Sequence, residues 1–249
     1  MSVVITLGAL SLGSGPDGDG NTWKWTELEG WDSPELRAAM LDLPGQHREA
    51  PGPFFFGRRA LSLQGNVSCP SLAAYWSART KLATATALTA TPGSLTVAET
   101  VAKKIAVRRG GRVLQRPFET LNGFTFDVPL IAPDPRILAA TATTITPGGT
   151  ATNTGNIGAS PVLTVTGSAA GPIVIANTTA GRTVTVATAV PGGQQLVIDF
   201  LARSILLNGV NRYDLVSGTP QWFDIAPGAN TITYSGGGTP SLSWNDSWI

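Results

Sequence analysis

Cysteine is almost missing from this 249-residue chain. Cys69 stands alone, so no internal disulfide can form, and a cysteine-based zinc site has too few thiolates. Histidine is as scarce: His47 is the only one, which removes metal sites built on two or three imidazoles from a single chain. Charge is sparse, with 13% Asp, Glu, Lys and Arg, about half the ~25% of ordinary soluble domains. Seventeen bases against 16 acids leave a formal charge of +1, which gives no general attraction to nucleic acid or an anionic membrane. Low charge with 42% hydrophobic residues excludes disorder as the main state. Long apolar runs are lacking too. The apolar start, Val3 to Leu12, is broken by Thr6, Gly8 and Ser11, has no basic flank and is far too short to span a bilayer. The expectation is a mature, soluble protein held together by burial alone.

What is abundant is turn chemistry between short β-prone runs: the chain has 29 glycines and 18 prolines. Val3, Ile5 and Leu7 alternate with less apolar neighbours and read as a strand with one buried face. Gly15-Pro16-Asp17-Gly18-Asp19-Gly20-Asn21 is a turn, and Thr22 to Leu28 follows with period 2. Trp23 and Trp25 then share a face, which is expected to pack inward. One helix is predicted near 69–83, with Pro70 in its first turn and a stripe of Leu72, Tyr75, Trp76 and Leu82. Gly110-Gly111 between Ile105–Arg109 and Arg112–Gln115 predicts a type I′ hairpin, and Asn122-Gly123 between Phe118–Leu121 and Phe124–Val128 predicts a second.

Ala132-Pro133-Asp134-Pro135 punctuates the chain, because proline removes a donor and pushes its predecessor out of helix. Charge divides unevenly there, with 14 bases and 12 acids up to Arg136 and 3 and 4 after it. Two domains are expected, 1–140 and 141–249. The second carries short β-rich runs at 162–166, 173–176, 183–187, 196–200, 205–207, 222–225, 231–234 and 242–244, the spacing of a sandwich or jelly roll. Asn208-Gly209 is its strongest hairpin signal.

No chemistry-bearing pattern stands out. Asp17 to Asn21 imitates the start of a calcium loop, yet Thr22 stands where glycine is needed and Leu28 where a bidentate carboxylate is needed. No Gly-x-Ser-x-Gly elbow is present to pair with His47, no phosphate-binding P-loop exists, and nothing singles out a pair among the 16 acids. Sequons at Asn66, Asn177 and Asn245 are chance matches in a Ser/Thr-rich chain. The expectation is no enzyme, no cofactor and no metal. Lys103 to Arg116 is basic with no acid and reads as a solvated rim or a site for an acidic protein partner; stacking aromatics for sequence-specific nucleic-acid binding are absent from it. Phe54, Phe55 and Phe56 cannot all face one side of a strand, so at least one is free for a partner. Candidate protein contacts are therefore Phe54, Phe55, Phe56, Arg58 and Arg59, with Arg108, Arg109 and Arg112. Trp222, Trp244 and Trp248 are the alternative, a stacking platform for sugars.

The order of several segments resembles the distal tail protein family of long-tailed, non-contractile bacteriophages, the phage minor tail proteins. They are Ile5-Thr6-Leu7-Gly8, the Asp-Gly turn with Trp23 to Pro34, Gly57 to Gly65, Phe124 to Pro129 with Ala132 to Arg136, Asn208-Gly209, and Trp222 to Asn230. The resemblance implies an all-β protein with one short helix, an N-terminal split-barrel-like domain and a C-terminal galectin-like or jelly-roll β-sandwich. It also implies a virion protein of the tail tip, made in the host cytoplasm, which forms a homohexameric ring. That ring would join the tail tube protein to the tail-tip hub, with the tape-measure protein nearby, no membrane contact, and a channel through which DNA passes. The alternative is a carbohydrate-binding module attached to a tail or cell-surface protein. A cell-wall hydrolase would suit the same location but has no motif behind it.

Overall fold

The structure is a computed structural model that describes residues 3–42, 47, 49–120 and 122–249. Among the described residues the protein is all-β with one short α-helix and a single 3-10 turn, Tyr213–Leu215, and it divides into two compact units, 1–137 with Ile249, and 138–248.

The first unit is organised by an antiparallel sheet with strands in the order Leu10–Leu12, Val4–Leu7, Gly93–Ala98, Lys103–Arg109, Gly123–Ala132, Arg59–Ser68, Thr22–Glu29. Its spine is the pair Arg59–Ser68 and Gly123–Ala132, in register over ten residues from Ala132↔Arg59 to Gly123↔Ser68. Strict alternation sends Leu61, Leu63 and Val67 inward beside Phe124, Phe126, Val128 and Leu130. Gly65 leaves the space that Phe126 fills, since a Cβ there would lie 2.5 Å from the ring. At the ends of the order, the Gly13 N–H donates to the Trp23 carbonyl at 2.9 Å. Trp23 is 1% exposed and meets Phe124 edge-on at 6.1 Å, whereas Trp25 is half-buried, its Nε1 donating to the Val3 carbonyl.

The helix, Leu72–Ala85, differs from its sequence reading in two ways. Ser71 is the cap, its hydroxyl accepting from the Ala74 N–H, and Pro70 lies ahead of it. Its buried face is Ala74, Tyr75, Ala78 and Leu82, while Leu72 and Trp76 point to solvent, about half exposed. Two small alanines let the helix approach the sheet closely, and Tyr75 meets Phe124 edge-on at 5.7 Å.

The Gly110-Gly111 hairpin does not form. Arg109 faces Leu130 and Leu114 faces Asp127, so residues 110–113 stand opposite only 128 and 129. From Arg108 to Pro117 the chain instead runs along one partner strand, Gly123–Ala132, with a two-residue bulge, while Lys103–Val107 pairs with Gly93–Ala98 on the other side. Neither glycine has positive φ. What requires them is close approach: a Cβ on Gly110 would lie 2.7 Å from Ile131 Cγ1, and one on Gly111 3.2 Å from Pro129 Cγ. The second hairpin forms with its first arm displaced, at Leu114–Pro117 rather than 118–121; Leu121 lies outside the described residues.

In the second unit, runs read as separate strands fuse into two long ones, Val162–Asn177 and Gly228–Trp244. Their pairing shifts register between Thr166 and Val174 opposite Gly237. On one side of the shift, 162–166 pairs with Gln195–Asp199, which leads to Ser204–Leu207 and Val210–Asn211; on the other, 173–177 pairs with Arg182–Val186. Thr143–Ile145 and Thr150–Asn153 add to the Gly228–Trp244 strand. Inward residues from both halves share one core, including Leu163, Val165, Ile173, Ile175, Leu196, Ile232 and Leu242. The 222–225 run is not a strand; Ile225 only bridges Ala159. Asn208 and Gly209 turn as expected, with φ of 49° and 80°, the left-handed pair of a type I′ turn.

Three buried asparagines tie the loops of this unit. Asn153 donates to the Ile157 and Ile225 carbonyls and accepts from Gly155. Asn230 accepts from Ala226 N and Asn177 Nδ2 and donates to the Ala226 and Gly228 carbonyls. Asn177 is fully buried and therefore no glycan acceptor.

Candidate subunit-interaction surfaces

The residues proposed for protein contact fall on two separate features of the first unit. Leu36–Asp42 and Glu49–Phe56 pair only with each other, as a two-stranded ribbon outside the main sheet. Leu36 lies opposite Phe56, and directly opposed residues share a face, so two apolar side chains, 54% and 43% exposed, stand together in solvent. Phe55, 63% exposed, lies opposite Arg37. A two-stranded ribbon is marginal alone in water, and this one presents apolar groups that a neighbour can cover. The side chain of Phe54 lies outside the described residues.

The foot of the ribbon shows why Arg59 must be removed from the contact set. Gly57 N donates to the Glu35 carbonyl at 2.7 Å, Arg58 points to solvent, and Arg59 is fully buried. Its guanidinium donates to the carbonyls of Gly30, Trp31 and Pro135 at 3.0, 2.5 and 3.0 Å. Burial pushes its pKa down, opposed by the charge of Asp32. Alternation from Leu61 and Leu63 already placed position 59 on the inner face; the side chain pins two loops there and is not available to a partner.

The basic segment divides likewise. Arg108 donates to the Thr89 and Ala90 carbonyls and holds the chain after the helix. Arg109 and Arg112, both exposed, flank a hollow of about 550 Å³ with Ala83, Thr86 and Gln115. Arg79 reaches the same place, its Nε donating to Gln115 Oε1 at 2.9 Å and its guanidinium lying 5.4 Å from the Trp76 ring. This Trp76–Arg79 pair was not legible as a surface, because Trp76 reads as core when only apolar spacing is counted.

Two further features come from the structure alone. An apolar groove of about 670 Å³ runs beside the second half of the helix, between Leu10, Trp23, Thr84, Leu88, Val107 and Leu130. At its end the calcium-like loop is neutralised from within, since Lys81 Nζ lies 2.8 Å from Asp17 and 2.7 Å from Asp19. Asp17 also accepts from Trp23 Nε1 and from the Asp19 and Asn21 amides, and Asp19 accepts from the Ser77 hydroxyl. Burial alone would raise the Asp17 pKa; the donors, Lys81 foremost, outweigh it and hold the carboxyl well below the usual range. The surplus of acid in the turn was the available signal for a basic partner on the helix.

The tryptophan platform is not assembled. Trp244 is 2% exposed, its Nε1 donating to Asp246 at 3.0 Å, and cannot stack on a ligand. Alternation along the closing strand points it into the core. Trp222 is half-buried, stacked with Tyr213 at 6.4 Å and against the edge of Phe200, and Trp248 is half-buried. Among the described residues no three His, Cys, Asp or Glu side chains converge as a metal site. Cys69 is buried, its thiol pushed up by burial and the Asp17 charge, and no described helix is long and apolar enough to cross a membrane.

Residues 154–248 match the family model described as siphovirus-type tail component, C-terminal domain. Over those residues the chain is similar to the siphovirus-type tail components. The Dit fold extends over the whole length: the crystal structure of the Dit protein of phage SPP1 aligns over 100% of both chains with a TM-score of 0.74 at 10% identity. That structure is described as a paradigm of hub adsorption apparatus in phages infecting Gram-positive hosts. Chains of the activated phage p2 baseplate, with calcium and with strontium, align over 98% of this chain with TM-scores of 0.57 and 0.55 at 7% and 8% identity. No curated protein matches the sequence.

Proposed function

We propose that this chain is a Dit-type tail component that forms a closed ring of six copies at the tail tip, joining the tail tube to the hub and leaving a channel for DNA. The observation that carries the reading is the end-to-end likeness to SPP1 Dit, a hub protein, with every part of both chains aligned. The N-terminal unit, as a split-barrel-like domain, forms the ring; the C-terminal unit, as a galectin-like sandwich, lies at the periphery. The ribbon of Leu36–Asp42 and Glu49–Phe56 and the exposed Arg58, Arg109 and Arg112 belong to contacts between copies or with the tube, hub and tape-measure proteins. A closed cyclic arrangement gives the ribbon's apolar pair a cover without leaving an open adhesive edge.

Negative-stain electron microscopy of the purified full chain tests this. Closed sixfold rings of one diameter are expected, and particles of a single subunit at every concentration would overturn the reading.

A further inference from the structure

The two edges of one part of the first unit's sheet carry opposite charge. Four strands lie side by side in the order Leu114–Pro117, Gly123–Ala132, Arg59–Ser68, Thr22–Glu29, with Arg116 opposite Thr125, Thr125 opposite Asn66, and Asn66 opposite Lys24. The outer two are about three strand spacings, roughly 14 Å, apart. On one edge, the chain from Trp25 to Glu35 holds Glu27, Glu29, Asp32 and Glu35, all exposed, and no base. On the other, Arg109, Arg112 and Arg116 on the bulged segment are joined by Arg79 of the helix, all exposed. The helix and the segment from Lys103 to Pro117 contain no acid. Among the described residues none of these eight charges forms a salt bridge. Two acids lie near the basic edge: Asp127, opposite Leu114, accepts from the Ser62 hydroxyl at 2.7 Å, and exposed Glu119 follows Arg116 by three residues. Lys24 is the one base on the acidic strand.

We propose that the basic edge of one copy faces the acidic edge of the next, so that copies of this chain join head to tail through electrostatic complementarity. The inference rests on the ring reading and deepens it by naming the two surfaces. Patches of opposite sign at opposite edges make a heterologous contact, the kind that closes into a ring when its rotation divides the circle. A twofold contact of either patch with itself would set like charges against each other. Complementary patches also steer encounter and fix register more than they add affinity. The aromatic anchor of the basic side is Trp76, 54% exposed beneath Arg79, the residue types enriched where interfaces carry their energy.

The test uses two full-length variants. In one, Arg109→Glu, Arg112→Glu and Arg116→Glu make both edges acidic; in the other, Glu27→Lys, Glu29→Lys and Glu35→Lys make both basic. All six side chains are exposed, and circular dichroism melts check that each variant folds. Each variant alone is expected to stay monomeric at concentrations where the wild type assembles, with the midpoint raised about tenfold or more. An equimolar mixture is expected to recover assemblies containing both variants in equal number, because an alternating order restores every contact. Wild-type assembly should weaken as salt shortens the screening length from about 10 Å at 0.1 M to about 3 Å at 1 M. If both folded variants assemble alone as the wild type does, this pairing is overturned and the ring reading stands. If the wild type never assembles in any salt, both fall.

Discussion

The two units solve the same packing problem and leave different remainders. The C-terminal unit buries most of its aliphatic side chains in one core, leaving Leu201 and Val210 exposed singly, and satisfies its polar interior with Asn153, Asn177 and Asn230, each bonded to the loop backbone it organises. The N-terminal unit buries a comparable core but keeps an apolar ribbon, an apolar groove and two oppositely charged edges at its surface. It also holds most of the charge, 14 of 17 bases and 12 of 16 acids up to Arg136. Charge and exposed apolar surface together on one unit mark where neighbours are to be met; a unit with few charges, whose buried asparagines are bonded within it, offers a neighbour less.

The largest effects should be equal in the two units, because both cores are close-packed. Leu63→Ala in the first and Leu163→Ala in the second, each fully buried, are expected to cost about 2–5 kcal/mol apiece in denaturant unfolding. A cost below about 1 kcal/mol in one alone would show that core to be loose. Next come the buried polar clamps. Arg59→Ala leaves the carbonyls of Gly30, Trp31 and Pro135 without their donor, and Asn230→Ala does the same to Ala226 and Gly228; each should cost about 2–3 kcal/mol. Arg59→Lys should recover little, since one ammonium cannot span loops held by a fork.

Acid should act on the N-terminal unit first. The folded pKa of Asp17 is depressed, so its contribution is complete above the ordinary carboxylate pKa, about 3.9, and is lost as pH falls towards the folded value. Asp17→Asn is therefore expected to lower the urea midpoint at pH 6 by more than at pH 2.5; an equal deficit at both would contradict the account of the Lys81 node. The smallest effect on stability belongs to the ribbon. Phe55→Ser with Phe56→Ser should leave monomer stability within about 0.5 kcal/mol while reducing assembly, which analytical ultracentrifugation measures at matched concentration. A large loss of stability instead would place those side chains in the fold rather than at a contact.

How far the residues foretold this can be traced through particular cases. Even imperfect alternation makes Ile5 and Leu7 legible, the Asn122-Gly123 turn marks the Phe124–Val128 run, and Asn208-Gly209 is legible because positive φ at both positions has few other uses. Gly110-Gly111 misled because glycine serves two needs, left-handed turns and close approach, and only the partner strand reveals which applies. The long strands Val162–Asn177 and Gly228–Trp244 look like separate pieces in the sequence, since glycines within them resemble turns until register shows the ladder resuming. Arg59 and Trp244 share one lesson: place in the alternation decides burial even for residue types common at binding surfaces. The charged edges depend on strand order, which no local pattern carries.

The central claim is that copies of this chain close on one another. Mass photometry of the purified protein over a hundredfold range of concentration reads it most directly. The account predicts a discrete species near six times 25.8 kDa, with the monomer appearing on dilution or in high salt. A single 25.8 kDa species throughout, or a continuous ladder of open polymers, would contradict it.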